Sequence, residues 1–342
     1  MVKETSLDDA QRSVLNAILD KNCIVTGCAG SGKSILALIK AQRIQKERGN
    51  DYQIVVYTKA LCGYMNSGRI ELGLSKTFSY YENWRKHGCP SSDYIIVDEI
   101  QDFTKEEVKQ FLKSSRKHFF FFGDDAQSLY HQFRETIRIK DINKLLDTQT
   151  ESKTKSFELF KNYRLPLPVA KLAQYVGVDL DNFTPDIYAS TEKELPRIIK
   201  CEDNNEIVTS IFDIINRRGF EDVALLFKNN IQVVMFHNLL EIKGIKHEVK
   251  FSIEGAWRDT LDFTTPLPKL MTYHSAKGLQ FESVFLPAVM SPTNKDESRA
   301  LYVAMTRTYK FLYIMYTDTL PDVLNVDCML FQEKDIQETF EK

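Results

Sequence analysis

Residues Gly27, Cys28, Ala29, Gly30, Ser31, Gly32, Lys33 and Ser34 fit the spacing G-x-x-x-x-G-K-S. An apolar run precedes them and an amphipathic run follows. Glycines at these positions let a backbone wrap until its N–H groups face phosphate oxygens. The lysine neutralises terminal phosphates, and the serine hydroxyl can hold Mg²⁺. A chance glycine-rich turn is the ordinary alternative, and a strand before and a helix after argue against it. A second apolar run ends in Asp98 and Glu99. The first carboxylate can support a metal through Ser34 and water, and the second can polarise an attacking water. Alone, such a pair is usually a solvated strand end. Beside a phosphate loop it points to phosphoryl transfer.

These residues need elements to hold them. Near-continuous apolar runs at 22–26, 53–58, 94–98 and 118–122 suit strands of a parallel sheet covered on both faces. Runs 34–47 and 104–113 suit helices between them, and Thr104 with Glu107 has capping-box spacing. Residues 147–156 are free of apolar side chains and suit a linker. A second alternating series follows. Its strands are expected at 157–160, 197–200, 222–227, 246–249, 269–272, 283–288 and 310–316, and its helices at 205–217, 231–243 and 296–306. The fold class is therefore α/β, with two domains, 1–150 and 151–342, each a mostly parallel sheet flanked by helices.

The chain has 342 residues, enough for two domains. Lys and Arg total 45 against 47 Asp and Glu, so a protein that coats nucleic acid through net charge is excluded. A local basic path remains open. Cysteines 23, 28, 62, 89, 201 and 328 form no C-x-x-C pair, so reduced thiols in a cytoplasm are expected. Residues 1–11 lack the apolar core of a signal peptide, and no apolar run reaches the ~20 residues that span a bilayer. No membrane partner is expected.

Four further segments carry polar residues where α/β sheets place ligands, at strand C-termini. They are 123–130 (GDDAQSLY), 162–164 (NYR), 272–281 (TYHSAKGLQF) and 299–307 (RALYVAMTR). With the phosphate loop and Asp98-Glu99-Ile100-Gln101-Asp102, their order resembles that of the superfamily 1 helicases of the UvrD/Rep type, from Gln11 to Arg307. The resemblance implies two RecA-like P-loop NTPase domains that bind ATP and Mg²⁺. It implies that Gln11 reads adenine, Tyr163 stacks on it, and Gln280 stands where the family has a ribose-binding glutamate. Residues 27–34 would cradle phosphate, with Ser34 and Asp98 at the metal and Glu99 as the water-activating base. Gln101 would sit beside the attacking water, and Gln127 would sense the γ-phosphate. Arg164 and Arg307 would act as arginine fingers from the second domain. Thr58, Thr77, Tyr130, Phe133, Thr272 and His274 would line a path for single-stranded DNA, with RNA not excluded. Read without the resemblance, the aromatics among them are ordinary core.

The sequence also departs from that family. Twenty residues separate Phe78 from Asp98, and about a hundred separate Arg164 from Thr272, where full-size members insert accessory subdomains. Both insertions are expected to be absent or vestigial. After Arg307 the expectation is one strand and a polar tail, with no room for a fused nuclease. The reading that results is an ATP-dependent DNA translocase or helicase core, moving 3′ to 5′ by family analogy. The rival is a nucleotide- or DNA-sensing ATPase subunit that regulates a partner nuclease without unwinding DNA. An inactive scaffold is a third reading, disfavoured by the intact Lys33, Glu99, Arg164 and Arg307.

Overall fold

A computed structural model describes residues 7–17, 19–28, 30–76, 79–124, 135–146, 154–178, 180 and 183–334. The chain forms two units, Met1–Tyr163 and Arg164–Lys342. Among the described residues no helix is long and apolar enough to cross a membrane.

The first unit is built on six strands: β1 (Asn22–Gly27), β2 (Tyr52–Val56), β3 (Ser79–Tyr80), β4 (Ser92–Val97), β5 (Ser115–Gly123) and β6 (Thr154–Leu159). Their spatial order is β3-β2-β4-β5-β1-β6, and every pairing is parallel. The inner strands are apolar on both faces because helices cover both. Ile95, Ile96, Val97 and the run Phe119–Phe122 are all buried. One side is an aromatic cluster in which Trp84 lies 4.9 Å from Phe111 and Phe119 stacks on Phe121 at 4.5 Å. The stretch between 78 and 98 holds one six-residue helix, Tyr81–Lys86, consistent with the short insertion expected there.

The expected domain boundary moves. Residues 154–156, assigned to a linker, begin β6, and β6 pairs with β1 along its length, from Asn22–Thr154 to Gly27–Leu159. The strand expected to open the second series therefore closes the first sheet. The polar sequence misled because β6 is an edge strand: Lys155, Ser156 and Glu158 are exposed.

Helix Asp9–Asn16 is held at both ends. Asp8 and Gln11 form a reciprocal capping box at its start. At its other end Lys40, buried on helix Lys33–Arg48, donates to the carbonyls of Ala17 (2.6 Å), Val14 (3.4 Å) and Leu15 (3.5 Å). These are carbonyls a helix end leaves unpaired, and a cation suits that end of the dipole. The Lys40 ammonium also lies 5.0 Å from the Phe120 ring centre.

The second unit has eight strands: β7 (Arg197–Lys200), β8 (Val223–Phe227), β9 (Glu248–Ile253), β10 (Ala256–Asp259), β11 (Lys269–Thr272), β12 (Phe281–Leu286), β13 (Thr308–Tyr316) and β14 (Gln332–Lys334). The order is β10-β9-β11-β8-β12-β13-β7-β14, parallel except for the β9–β10 hairpin. Helices Asn204–Arg218, Asn230–Ile242 and Lys295–Met305 match the expected ones within a residue or so. Helix Leu167–Val176, strand β10 and strand β14 were not anticipated.

Lys40→Met should lower unfolding free energy by about 1–3 kcal/mol, because the carbonyls it caps lose a buried donor. Urea melts of the variant and parent check this, and an unchanged midpoint would rule out the clamp.

Candidate functional site

The phosphate loop leaves β1 at Gly27 and enters helix Lys33–Arg48 through Gly32. Gly30 and Gly32 have φ of 74° and 88°, a region that favours glycine. Gly27 is needed for space: a Cβ there would lie 2.7 Å from the Leu159 Cβ and 2.7 Å from Ser31 Oγ. Lys33 Nζ donates to the carbonyls of Gly27 (2.7 Å) and Cys28 (3.0 Å). Gln11 Nε2 donates to the Ser31 carbonyl at 2.9 Å, and the Tyr163 N–H to that of Gly30 at 3.1 Å. The loop's carbonyl acceptors are thus held by the protein, which favours an anion-binding surface on the donor side. Ala29 lies outside the described residues.

The acidic pair sits at the end of β4, separated from β1 by β5. Asp98 is fully buried, its Oδ1 accepts the Glu99 N–H at 3.0 Å, and its Oδ2 is buried without a hydrogen-bond partner. Burial, then the neighbouring Glu99, pushes the Asp98 carboxyl well above the usual carboxylate range, while Ser34 and Lys33 pull it down. A buried, unpaired carboxylate oxygen beside a serine hydroxyl is the donor set a hard divalent cation takes, so Asp98 and Ser34 fit Mg²⁺. Glu99 adopts a left-handed φ of 57°, which costs a non-glycine residue about 1–3 kcal/mol and is found where function fixes a side chain.

Gln101 is fully buried, with both ends of its amide engaged. Its Nε2 donates to Glu99 Oε2, and its Oε1 accepts the Asp124 N–H at 2.9 Å. It therefore holds the Glu99 carboxylate against the end of β5. Gly123 makes room: a Cβ there would lie 2.5 Å from Gln101 Oε1 and 2.8 Å from both Ile100 and Ile139 side chains.

Tyr163 joins this site from β6's side. The residue is 38% exposed and its hydroxyl donates to Asp8 Oδ2, while Asp8 Oδ1 accepts the Gln11 N–H at 2.7 Å. Burial and Asp8 raise the Tyr163 hydroxyl pKa, so the ring stays neutral. The structure thus brings Gln11 and Tyr163 together through Asp8, a residue to which sequence reasoning gave no role. The signal available for it was the D-x-x-Q capping pattern at 8–11.

In the second unit Arg164 and Arg307 meet at the end of helix Lys295–Met305. Arg164 Nη2 donates to the Thr306 carbonyl at 3.3 Å, and Arg307 donates to the Val303 carbonyl at 2.9 Å and to Thr306 Oγ1 at 3.1 Å. The helix C-terminus offsets repulsion between the two guanidinium groups. Gln280 is adjacent, since the next residue's N–H donates to the Arg307 carbonyl. These residues were expected at strand C-termini. Instead Phe281 and Thr308 open β12 and β13, so Gln280 and Arg307 lie at the strands' N-terminal ends, Gln280 after the turn that follows β11 and Arg307 after helix Lys295–Met305.

Thr272 closes β11 at the opposite end of that sheet. Its hydroxyl accepts the Ser275 N–H at 3.2 Å, and burial, aided by Lys277, lowers the His274 pKa. In the first unit the Thr58 hydroxyl accepts the Leu61 N–H at 3.1 Å, at the start of helix Lys59–Glu71. Both threonines thus have local capping roles. Thr77, Gln127, Tyr130 and Phe133 lie outside the described residues.

Residues 23–210, just over half of the chain, match the family described as the viral superfamily 1 RNA helicase core domain. Residues 269–315 match the UvrD-like helicase C-terminal domain. The chain belongs to the superfamily 1 helicases, of UvrD/Rep-like type. It is 27% identical over 192 residues to the ATP-dependent DNA helicase Rep of Buchnera aphidicola, covering 52% of this chain and 27% of that protein. It is 26% identical over 255 residues to a probable DNA helicase of Mycoplasma pneumoniae, covering 66% of this chain and 44% of that protein. It is 32% identical over 106 residues to the RecBCD enzyme subunit RecB of Chlamydia pneumoniae, covering 28% of this chain and 10% of that protein. The chain spans less than half the length of each of these relatives.

Gly123→Ala should destabilise the fold by about 1–3 kcal/mol through overpacking and should displace Gln101 from Glu99. Thermal melts read the first effect and single-turnover hydrolysis the second. A variant that matches the parent in both would show that the close approach at Gly123 is unimportant.

Proposed function

We propose that this superfamily 1 helicase chain hydrolyses ATP to ADP and phosphate with Mg²⁺, stimulated by single-stranded nucleic acid, and uses the cycle to translocate. The observation that carries the reading is the buried, unpaired Asp98 Oδ2 at the end of β4, in a sheet whose β1 carries the phosphate loop. Lys33 and the loop backbone bind the phosphates, and the Tyr163 ring and Gln11 hold the base. Gln11 must release the Ser31 carbonyl if it is to read adenine, because both ends of its amide are engaged. Mg²⁺, when bound at Ser34 and Asp98, neutralises charge on the phosphates. Glu99, oriented by Gln101, orients the attacking water and takes its proton. Arg164 and Arg307 act on turnover, where an arginine finger can be worth about 10³–10⁵ in rate. The strand is taken as DNA, moved 3′ to 5′, with Thr58, Thr272 and His274 among its contacts. RNA stays an arm of the test because the matched family carries RNA in its description.

A second reading has its own support in the identity with a RecB subunit. On that reading the chain is an ATPase subunit that senses nucleotide or DNA ends and controls a partner nuclease. The deciding experiment measures ATP hydrolysis with single-stranded DNA, duplex DNA and RNA side by side, together with strand displacement. Strand-stimulated hydrolysis with displacement supports the motor. Stimulated hydrolysis without displacement, restored by a nuclease partner, supports the regulatory subunit. No hydrolysis under any condition overturns both.

Glu99→Gln should bind ATP with near-parental affinity while hydrolysis falls by at least about a hundredfold, as expected for loss of a general base. Fluorescent-nucleotide titration and phosphate release measure the two quantities. Hydrolysis at the parental rate would remove Glu99 from the role.

A further inference from the structure

At the β10 edge of the second sheet, two histidines and a glutamate that take no part in the proposed nucleotide site converge. His237 and Glu241 lie one turn apart on helix Asn230–Ile242, and His247 immediately precedes β9. His237 Nδ1 is 2.7 Å from His247 Nε2, and Glu241 Oε1 is 3.9 Å from each. One ligand atom from each of the three lies within 4.8 Å of the others. The histidine side chains are 6% and 1% exposed, whereas Glu241 is 57% exposed and opens the cluster to solvent.

The proton positions follow from the partners. His247 Nδ1 is 2.7 Å from the Ile245 carbonyl, which only accepts, so His247 carries its proton on Nδ1 and turns the Nε2 lone pair into the cluster. A ring nitrogen locked on a backbone carbonyl while the other faces inward is the usual support of a metal-binding histidine. Arg258, on the exposed edge strand β10, lies with Nη1 2.8 Å from His237 Nε2. Arginine only donates, so His237 Nε2 accepts and its proton sits on Nδ1, directed at His247. The four groups form one directional chain: Arg258 to His237 to His247 to the Ile245 carbonyl.

We infer that His237, Glu241 and His247 form a binding site for a divalent transition-metal ion of the zinc class, and that Arg258 gates it. Two imidazoles and a carboxylate suit this class of ion. Two nitrogens on one tetrahedral zinc stand about 3.3 Å apart at ordinary Zn–N lengths, so the histidine pair, at 2.7 Å, opens by about 0.6 Å. Glu241 closes from the solvent side, and water completes the shell. His237 then binds through Nδ1, and its proton moves to Nε2 with no net loss. That Nε2–H faces the Arg258 donor, so Arg258 must swing out to solvent before the ion can bind. Bound metal would tie the helix to the start of β9, cross-linking the edge of the sheet.

The gate makes the inference testable in an unusual direction. Full-length protein, stripped with chelator, is titrated with Zn²⁺ by calorimetry. The parent should take up one ion per chain, Glu241→Gln should bind at least about tenfold more weakly, and Arg258→Ala should bind more tightly than the parent. Neither substituted residue is buried, so both variants should fold, and circular dichroism checks this. An absence of stoichiometric uptake overturns the site. Parental affinity in Glu241→Gln shows that the ion binds elsewhere, and unchanged or weaker binding in Arg258→Ala overturns the gate and the proton assignment with it.

Discussion

The first unit depends on the close approach between the phosphate-loop backbone and β6. Gly27 packs on Leu159 with no space for a side chain, and the Cys28 N–H donates to the Leu159 carbonyl at 3.3 Å. That contact fixes where β1 ends and where the loop begins. It also brings the chain from β6 past the loop, so that the Tyr163 N–H reaches the Gly30 carbonyl. Once Tyr163 is placed, its hydroxyl orients Asp8, and Asp8 orients Gln11. One glycine-mediated strand contact thus sets the glycine-rich loop and both residues proposed to hold the base. Lys40 supports the same arrangement from behind by holding the far end of the Gln11 helix.

The acidic end of the site is built by a different device. Asp98 and Glu99 follow directly on the run Tyr94–Val97, whose residues are all buried, which carries their charge into a poorly solvated place. The protein holds them with short-range hydrogen bonds: Asp98 to the next backbone N–H, and Glu99 to Gln101, which is itself anchored on Asp124. A buried carboxylate with a free oxygen is costly without a cation. On the proposed function, that cost favours a cation beside Asp98. In the second unit the corresponding charge problem has the opposite sign, and a helix C-terminus at Thr306 answers it by accepting from both arginines.

The motifs were legible because their chemistry is local. A phosphate loop needs its residues at fixed spacing along eight consecutive positions, and an acidic pair needs only the end of one apolar strand. The continuous apolar runs of β1, β2, β4, β5 and β8 were equally plain, since burial on both faces removes polar alternation. What misled was β6, whose exposed polar residues read as linker although their backbone completes the first sheet. Gln280 was placed with the strand its segment follows, whereas the turn after β11 carries it to the start of β12, and Arg307 likewise leads directly into β13.

By itself, the sequence determined the α/β class, the parallel character of the sheets, the phosphate loop and the acidic pair, all of which follow from spacing and burial pattern within short segments. The tertiary structure alone decided where the first unit ends and that Tyr163, Asp8 and Gln11 act as a group. It also decided that Arg164 and Arg307 share one helix terminus, and that two histidines and a glutamate converge near β10. Each of these joins residues distant in the chain, or turns on which edge of a sheet a segment reaches. Strand pairing and helix direction set such placements, and a one-dimensional pattern carries neither.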